Sequence, residues 1–508
     1  MKKTAIALLA LTLCLGSCND SLGGLGSGHS ETYYINTFAS NVMQTYYLWK
    51  EEVQIQLNTW RVDDDPKEKV ASARYRQDGK LVDRWTQLTD DYDGFLGSVN
   101  GNETSFGMEF QPYYADADSV NVNVWVTFTY ADSPARKAGL KRGDVIVSLD
   151  GQGLNVDNYK QVLTDKILHP SSVDLELQDG RHVQMTAVQL VEDPVHTVAI
   201  LEHGGKKLGY LHFASFTQDC CKDLENVFRG FKEAGIRELV LDLRYNGGGY
   251  TTTSATLASM IAPPQAVKDS AIFNREVYNA QLSKEMEGVT CFAPEHNVPT
   301  SNGKELIHAL EANPGVERVW VIQTGNTASA SEALVCGLKP YFPDNRLTLV
   351  GSTSYGKFCG GFIMGSANWY NALSTSDKLR INAEEGARLS ANWGIYVMVS
   401  RYADREGVTL SMPSGIPADV AVRDNPCDGF DLGQSGETML AAVLALSAGE
   451  PLPGAKASVA ADGCLPGVAA DGCSHAGLRR PEAAAPAPLE PLRRPSFGVR
   501  VLTPGSED

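Results

Sequence analysis

Between residues 208 and 350 the chain repeats one unit, a short apolar strand followed by a small-residue loop and a helix, and few folds accommodate that repetition. Leu208-Gly-Tyr-Leu-His-Phe-Ala-Ser-Phe216 reads as a strand, and residues 221–234 have helical spacing through Leu224, Val227, Phe228 and Phe231. Leu239-Val-Leu-Asp-Leu-Arg244 reads as a buried strand that ends at Asn246-Gly-Gly-Gly249, with a helical stretch at 251–262 after it. Arg318-Val-Trp-Val-Ile-Gln323, a helix at 329–338 and Arg346-Leu-Thr-Leu-Val350 continue the alternation. Units of this length predict a largely parallel sheet covered by helices over 191–450. Chemistry is then expected in the loops at the strand C-termini.

Three such loops carry unusual residues. After Gln323 comes Thr324-Gly-Asn-Thr-Ala-Ser-Ala-Ser-Glu332. A Ser on a tight turn from strand to helix is exposed at a positive helix end, and the next backbone N–H is free to face a developing oxyanion, which is the geometry nucleophiles use. The same Ser329-Ala-Ser-Glu332 is also a capping box, so the segment alone leaves both readings open. After Val350 comes Gly351-Ser-Thr-Ser-Tyr-Gly-Lys357, and a desolvated Lys has a lowered pKa and acts as a neutral general base. After Leu243 comes Arg244-Tyr-Asn-Gly-Gly-Gly249, whose backbone N–H groups are unobstructed by side chains and suit a second oxyanion donor beside Ala330. No Gly-Lys-Ser/Thr ending follows, which argues against a nucleotide site.

The remaining folded residues divide in two. Residues 31–92 read as a helical N-terminal domain, with Tyr33, Tyr34, Phe38, Val42, Tyr46, Leu48 and Trp49 forming a packing stripe. Over 93–190 short alternating runs such as Val120-Asn-Val-Asn-Val-Trp-Val126 indicate strands. Between them Ser133-Pro-Ala-Arg-Lys-Ala-Gly-Leu-Lys-Arg-Gly-Asp144, continuing to Gly151, resembles the central signature of PDZ domains. That resemblance implies a loop that captures a peptide's terminal carboxylate, placed at Ser105-Phe-Gly-Met-Glu-Phe110, with Phe106, Gly107 and Met108 as the peptide-binding residues.

Taken together, the PDZ segment, Asp242-Leu-Arg-Tyr-Asn-Gly-Gly-Gly249, Thr327-Ala-Ser-Ala-Ser-Glu332 and Thr353-Ser-Tyr-Gly-Lys357 resemble, in order and spacing, the C-terminal processing (tail-specific) peptidases. Tyr47-Leu-Trp49 and Asp83-Arg-Trp85 resemble their lipoprotein branch. The resemblance implies a multidomain α/β chain with a helical N-terminal segment, a PDZ domain and a crotonase-like catalytic core. It further implies a serine endopeptidase with Ser329 as nucleophile, Lys357 as general base, and Gly247, Gly248 and Ala330 as oxyanion donors. Ser331 is the minor alternative nucleophile. The implied substrate is a protein or peptide with a free C-terminus, and neither metal nor organic cofactor is required. Family members often carry a Gln one turn after the Lys; here that position is Gly361, which leaves Thr353 and Ser354 as candidate substitutes. The missing Gln supports the alternative of a catalytically inactive, tethered PDZ peptide-binding protein.

The ends are of different character. Lys2 and Lys3 precede an apolar stretch from Ala5 to Leu15, too short to span a bilayer at about 20 residues, and Leu15-Gly-Ser-Cys18 matches a bacterial lipoprotein box. Residues 1–18 are therefore expected to be a signal peptide, Cys18 the lipid anchor, 19–30 a flexible tether, and the address extracytoplasmic on a bacterial membrane. Residues 451–508, rich in Ala, Pro and Gly, read as a disordered tail. The tail's charges cancel, so the net charge of −17 belongs to residues 1–450 and argues against nucleic acid as a partner.

Overall fold

The structure is a computed structural model, and it describes residues 29–115, 120–408, 414–453 and 498–501. The expected signal peptide, the lipid anchor at Cys18 and most of the expected tether and tail lie outside the described residues.

A six-stranded sheet forms the centre, in the order Val195–His203, Lys206–Phe213, Glu238–Asp242, Arg318–Gln323, Leu347–Gly351, Val420–Ala421. The first pair is antiparallel and every later pair parallel. Alternate residues of each strand face opposite sides. Leu239, Leu241, Val319, Val321, Leu347 and Leu349 pack under the helices Cys221–Ala234, Thr251–Ile261 and Ala330–Leu338. Val240, Trp320, Ile322 and Val350 pack on the helix Thr438–Ala448 on the other face. Both faces being covered explains why these strands read as apolar runs rather than as alternating ones.

A seven-stranded sheet stands beside the first and runs Gly249–Tyr250, Gly498–Val501, Cys359–Gly365, Gly394–Ala403, Ile272–Tyr278, Val289–Cys291, with Gln87–Thr89 also paired to Gly394–Ala403. The helix Glu31–Tyr46 lays its aromatic stripe on this sheet: Tyr34, Phe38, Val42 and Tyr46 share one buried cluster with Phe362, Tyr396 and Met398. Within the expected helical segment over 31–92, helix stops at Tyr46, resumes briefly at Gln54–Asn58 and Pro66–Ala73, and gives way to the strand Gln87–Thr89. Pairing of that strand with Tyr396, Ile395 and Gly394 decides its conformation, a tertiary cause that local spacing does not carry.

The PDZ sheet has the order His182–Thr186, Ser172–Leu177, Val145–Leu149, Gln152–Asn155, Asn121–Thr129, Met108–Tyr114, around a core of Val122, Val124, Val126, Leu140, Ile146 and Leu149. It docks on the central sheet through the turn Arg142-Gly143. Arg142 enters the core and donates to Asp424 Oδ1 at 3.0 Å, Glu437 Oε1 at 3.3 Å and Tyr245 OH at 2.9 Å. A Cβ on Gly143, where φ is +88°, would meet Pro426 O at 2.7 Å, so the turn also needs glycine for its close approach.

Within the expected tail, residues 498–501 form a strand. Main-chain pairing with both neighbours orders it, and such pairing requires none of the apolar periodicity by which strands are recognised in sequence.

Candidate active site

The central strands Glu238–Asp242, Arg318–Gln323 and Leu347–Gly351 are adjacent and parallel, so the loops leaving their C-termini converge. Backbone bonds fix the convergence. Ala328 N–H donates to Asn246 O at 3.0 Å, Tyr355 N–H to Thr327 O at 2.9 Å, and Thr327 Oγ1 to Leu243 O at 2.9 Å.

Ser329 sits at the turn into the helix Ala330–Leu338 with φ +57° and ψ −113°, a conformation that a non-glycine residue holds only when its surroundings impose it. The capping-box geometry is present, with Ser329 N–H donating to Glu332 Oε2 at 2.9 Å, yet Ser329 Oγ is buried and makes no hydrogen bond. A buried hydroxyl without a partner is uncommon, and here it lies at a turn whose strain stations it at the strand end. Ser331 differs: its Oγ donates to Asn246 O at 3.1 Å and ties the helix to the glycine loop.

Glu332 joins the Ser329 loop to the Lys357 loop. Its Oε2 accepts from Ser329 N and, at 2.8 Å, from Lys357 N, so the two backbones lie within two hydrogen-bond lengths of each other. Its Oε1 accepts from Gly356 N at 2.7 Å and from Ser354 Oγ. Burial pushes the Glu332 carboxyl up, and these four donors oppose that shift.

Lys357 is fully buried. Its Nζ donates to Tyr396 OH at 3.2 Å and stands 5.5 Å from the Trp85 ring centroid and 5.1 Å from that of Tyr396. The candidate substitutes for the absent Gln do not fill that role. Ser354 Oγ is committed to Glu332 and accepts from Ile416 N at 2.7 Å, and Thr353 is exposed. A Cβ on Gly361 would lie 2.5 Å from Tyr396 Cε2 and 2.5 Å from Met398 Cε, so the Tyr396 ring occupies the space a residue at 361 would need. Tyr396 was not legible in the sequence because it lies on a strand 39 residues beyond the lysine. The N-terminal segment supports this pocket. Asp83 accepts from Trp85 N and Thr86 N, both at 3.0 Å, and from Tyr47 OH at 2.7 Å, and thereby sets the Trp85 wall.

In the glycine loop the expected oxyanion donors differ in their bonding. Gly248 N–H donates to Asn246 Oδ1 at 2.8 Å and is not available as an oxyanion donor in this state, because the Asn246 side chain turns back on its own loop. Among the described residues neither Gly247 N–H nor Ala330 N–H is hydrogen-bonded. Gly248 serves by proximity: with φ +107°, its Cβ would meet Ser329 Cβ at 2.8 Å and Ala330 N at 3.0 Å.

Beneath the loop lies a buried charge cluster. Arg244 pairs with Asp242, Asp424 and Glu437, and Arg142 of the PDZ domain joins the last two. Burial alone would raise Asp424 and Glu437, but the two guanidiniums hold both below the usual carboxylate range. Burial keeps Asp242 above it. His212, at the same domain contact beside His196 and Phe128, is pushed far down by burial. The PDZ domain also reaches the Ser329 loop directly, through Asn326 Nδ2 donating to Gln111 Oε1 at 2.9 Å.

At the expected carboxylate loop, Phe106 and Met108 are buried in the PDZ core and Gly107 has φ +66°. The Gly107 N–H is donated to Ser105 Oγ at 2.9 Å, so the loop holds one of its own donors in this state.

Comparison with known proteins agrees with this architecture. Residues 207–422 match peptidase family S41 and residues 125–176 match the PDZ domain. The chain is 25% identical over 288 residues to the carboxy-terminal processing protease CtpB of Bacillus subtilis, covering 55% of this chain and 54% of that one. It is 22% identical over 273 residues to the "Probable CtpA-like serine protease" of Staphylococcus aureus, covering 53% and 49%. The chain thus spans about half the length of the curated relatives it matches. A crystal structure of an S41-type protease from Bacteroides fragilis shares the fold at a TM-score of 0.56 and 20% identity, covering 84% of this chain and 99% of that one. With strand-end loops, PDZ domain and relatives in agreement, residues 207–422 form a peptidase family S41 domain and residues 125–176 a PDZ domain, and the chain is similar to the carboxy-terminal processing proteases.

Proposed function

We propose that this chain is a serine endopeptidase that cleaves polypeptides presented by their C-terminus, with Ser329 as nucleophile and Lys357 as general base. The observation that carries the reading is Ser329 itself, whose strained turn leaves a buried Oγ unspent while Glu332 binds its backbone to that of Lys357.

In this reading the neutral Lys357 amine takes the Ser329 hydroxyl proton as Oγ bonds to the peptide carbonyl carbon. Gly247 and Ala330 N–H groups face the oxyanion. The amine then passes the proton to the leaving nitrogen as the C–N bond breaks, and an acyl-enzyme remains. Water deprotonated by Lys357 releases the acyl group. The Lys357–Tyr396 bond describes a resting amine, and catalytic hydrogen bonds often tighten only with substrate bound. The PDZ domain supplies the C-terminal recognition, and its Arg142 and Gln111 contacts give it a physical link to the catalytic loops. Lipidation at Cys18, outside the cytoplasm, would hold the chain to a membrane.

Hydrolysis of a peptide with a free C-terminus by the wild-type chain, Ser329→Ala and Lys357→Ala tests the dyad. Loss of at least about 10³-fold in kcat/KM is expected for each variant. Equal rates in all three would eliminate it. Radiolabelled palmitate incorporation lost in Cys18→Ala is the expected outcome for the anchor, and equal incorporation would remove it.

A further inference from the structure

The strand Gly498–Val501 belongs to the C-terminal region of the chain, yet it lies inside the seven-stranded sheet, between the edge strand Gly249–Tyr250 and Cys359–Gly365. It is parallel to both neighbours, with Gly498 and Val499 opposite Gly249 and Tyr250 on one side. On the other side Val499, Arg500 and Val501 face Gly361, Phe362 and Ile363. Those neighbours continue the two loops of the candidate active site. Gly249 follows Gly248, which presses on Ser329, and Gly361 lies on the strand that begins two residues after Lys357.

Adjacent strands lie about 4.8 Å apart, so without this segment the two neighbouring strands would face each other across a gap of roughly 10 Å. Such a gap presents unpaired N–H and C=O groups from both sides and accepts one extended backbone of nearly any sequence. An extended peptide placed there passes beside Ser329, which is where a peptidase needs its substrate. The chain's own segment holds that place, and 44 residues separate Gly498 from the last described residue of the core, Pro453. Because the segment is covalently part of the same chain, it competes with substrate intramolecularly.

Resting on the peptidase reading above, we propose that the gap between Gly249–Tyr250 and Cys359–Gly365 is the substrate strand site, and that Gly498–Val501 occupies it in cis and competes with substrate. Val499 is the residue paired on both sides. A proline there removes its N–H and is incompatible with a central strand.

The test uses full-length chains of verified intact mass. In the Ser329→Ala background, where no activity is needed, hydrogen exchange of residues 249–250, 361–363 and 498–501 is measured with and without Val499→Pro. Protection lost in the double variant is the expected result, and equal exchange would overturn the proposal. In the active chain, Val499→Pro is expected to lower the apparent KM for a fluorogenic peptide by about tenfold with kcat unchanged. A synthetic peptide of residues 496–504 is then expected to inhibit that variant competitively. An unchanged KM overturns the proposal, as does a Val499→Pro chain that fails to fold, because the strand is then a permanent part of the sheet. If Ser329→Ala hydrolyses the peptide as the wild type does, the peptidase reading fails while hydrogen exchange still decides where the tail sits.

Discussion

Glu332 is the residue at which fold and chemistry are most tightly joined, and its replacement has an effect that can be worked out. The carboxylate accepts four hydrogen bonds, from Ser354 Oγ, Gly356 N, Ser329 N and Lys357 N. In Glu332→Gln one amide oxygen retains two acceptors' worth of bonding. The favoured orientation keeps that oxygen on the Ser329 and Lys357 side, since the Ser354 hydroxyl can turn to accept from the amide NH2 whereas Gly356 N–H cannot. One buried N–H is then left unsatisfied, a loss of about 1–3 kcal/mol. Glu332→Ala leaves all four donors without an acceptor and should remove at least about 4 kcal/mol, at the upper end for a single substitution. It also frees Ser329 from the bond that fixes its positive φ. A displacement of the nucleophile by about 1 Å is expected to lower kcat by about 100-fold. Urea denaturation gives the stabilities, and peptide hydrolysis under conditions where each variant is folded gives kcat. The reasoning is refuted if Glu332→Ala unfolds within about 1 kcal/mol of wild type, or if Ala and Gln lose stability equally.

Four further outcomes are expected. Tyr396→Phe keeps the ring that fills the space beside Gly361 but removes the acceptor for Lys357, so kcat should fall about 3- to 10-fold and the pH–rate profile should move while KM holds; an unchanged profile would deny Tyr396 a positioning role. Ser331→Ala should retain kcat and lose about 1 kcal/mol in denaturation, because its hydroxyl is a tie to Asn246 O rather than a reacting group. Arg142→Met leaves Asp424 and Glu437 short of a buried counter-charge and should destabilise the chain by about 3–5 kcal/mol, with hydrogen exchange rising first at the PDZ contact; uniform exchange would contradict that placement. His296, pushed down to about 4 by burial, binds its proton less readily folded than unfolded, so its contribution is complete above pH about 6.5 and is lost between there and about 4, up to about 3 kcal/mol. Denaturation at pH 7 and pH 5 checks this: His296→Gln should flatten the difference, and parallel behaviour would exclude it.

What the sequence made legible follows from how local each feature is. The helices Cys221–Ala234 and Thr251–Ile261 and the strand Arg318–Gln323 carry their own periodicity, and a parallel sheet brings loops at equivalent strand ends together, so the three loops could be grouped from spacing, while the roles of Ser329 and Lys357 within them came from the family resemblance. Glu332 was visible as a cap residue, but its bonds to Gly356 and Lys357 cross 24 and 25 residues and no local pattern encodes them. The strand Gln87–Thr89, the Tyr396 contact and the Arg142 insertion are likewise set by long-range partners. The bond from Gly248 N–H to the Asn246 side chain was not readable either, because it depends on how Asn246 folds back on its own loop.

Whether Ser329 is the reacting group is read out by covalent trapping. A fluorophosphonate probe reacts with an activated serine, and mass spectrometry of the digested protein locates the adduct. A single adduct on Ser329 that disappears in Ser329→Ala and in Lys357→Ala is the expected outcome. An adduct on Ser331, or labelling of Ser329 that persists at the same rate without Lys357, would contradict it.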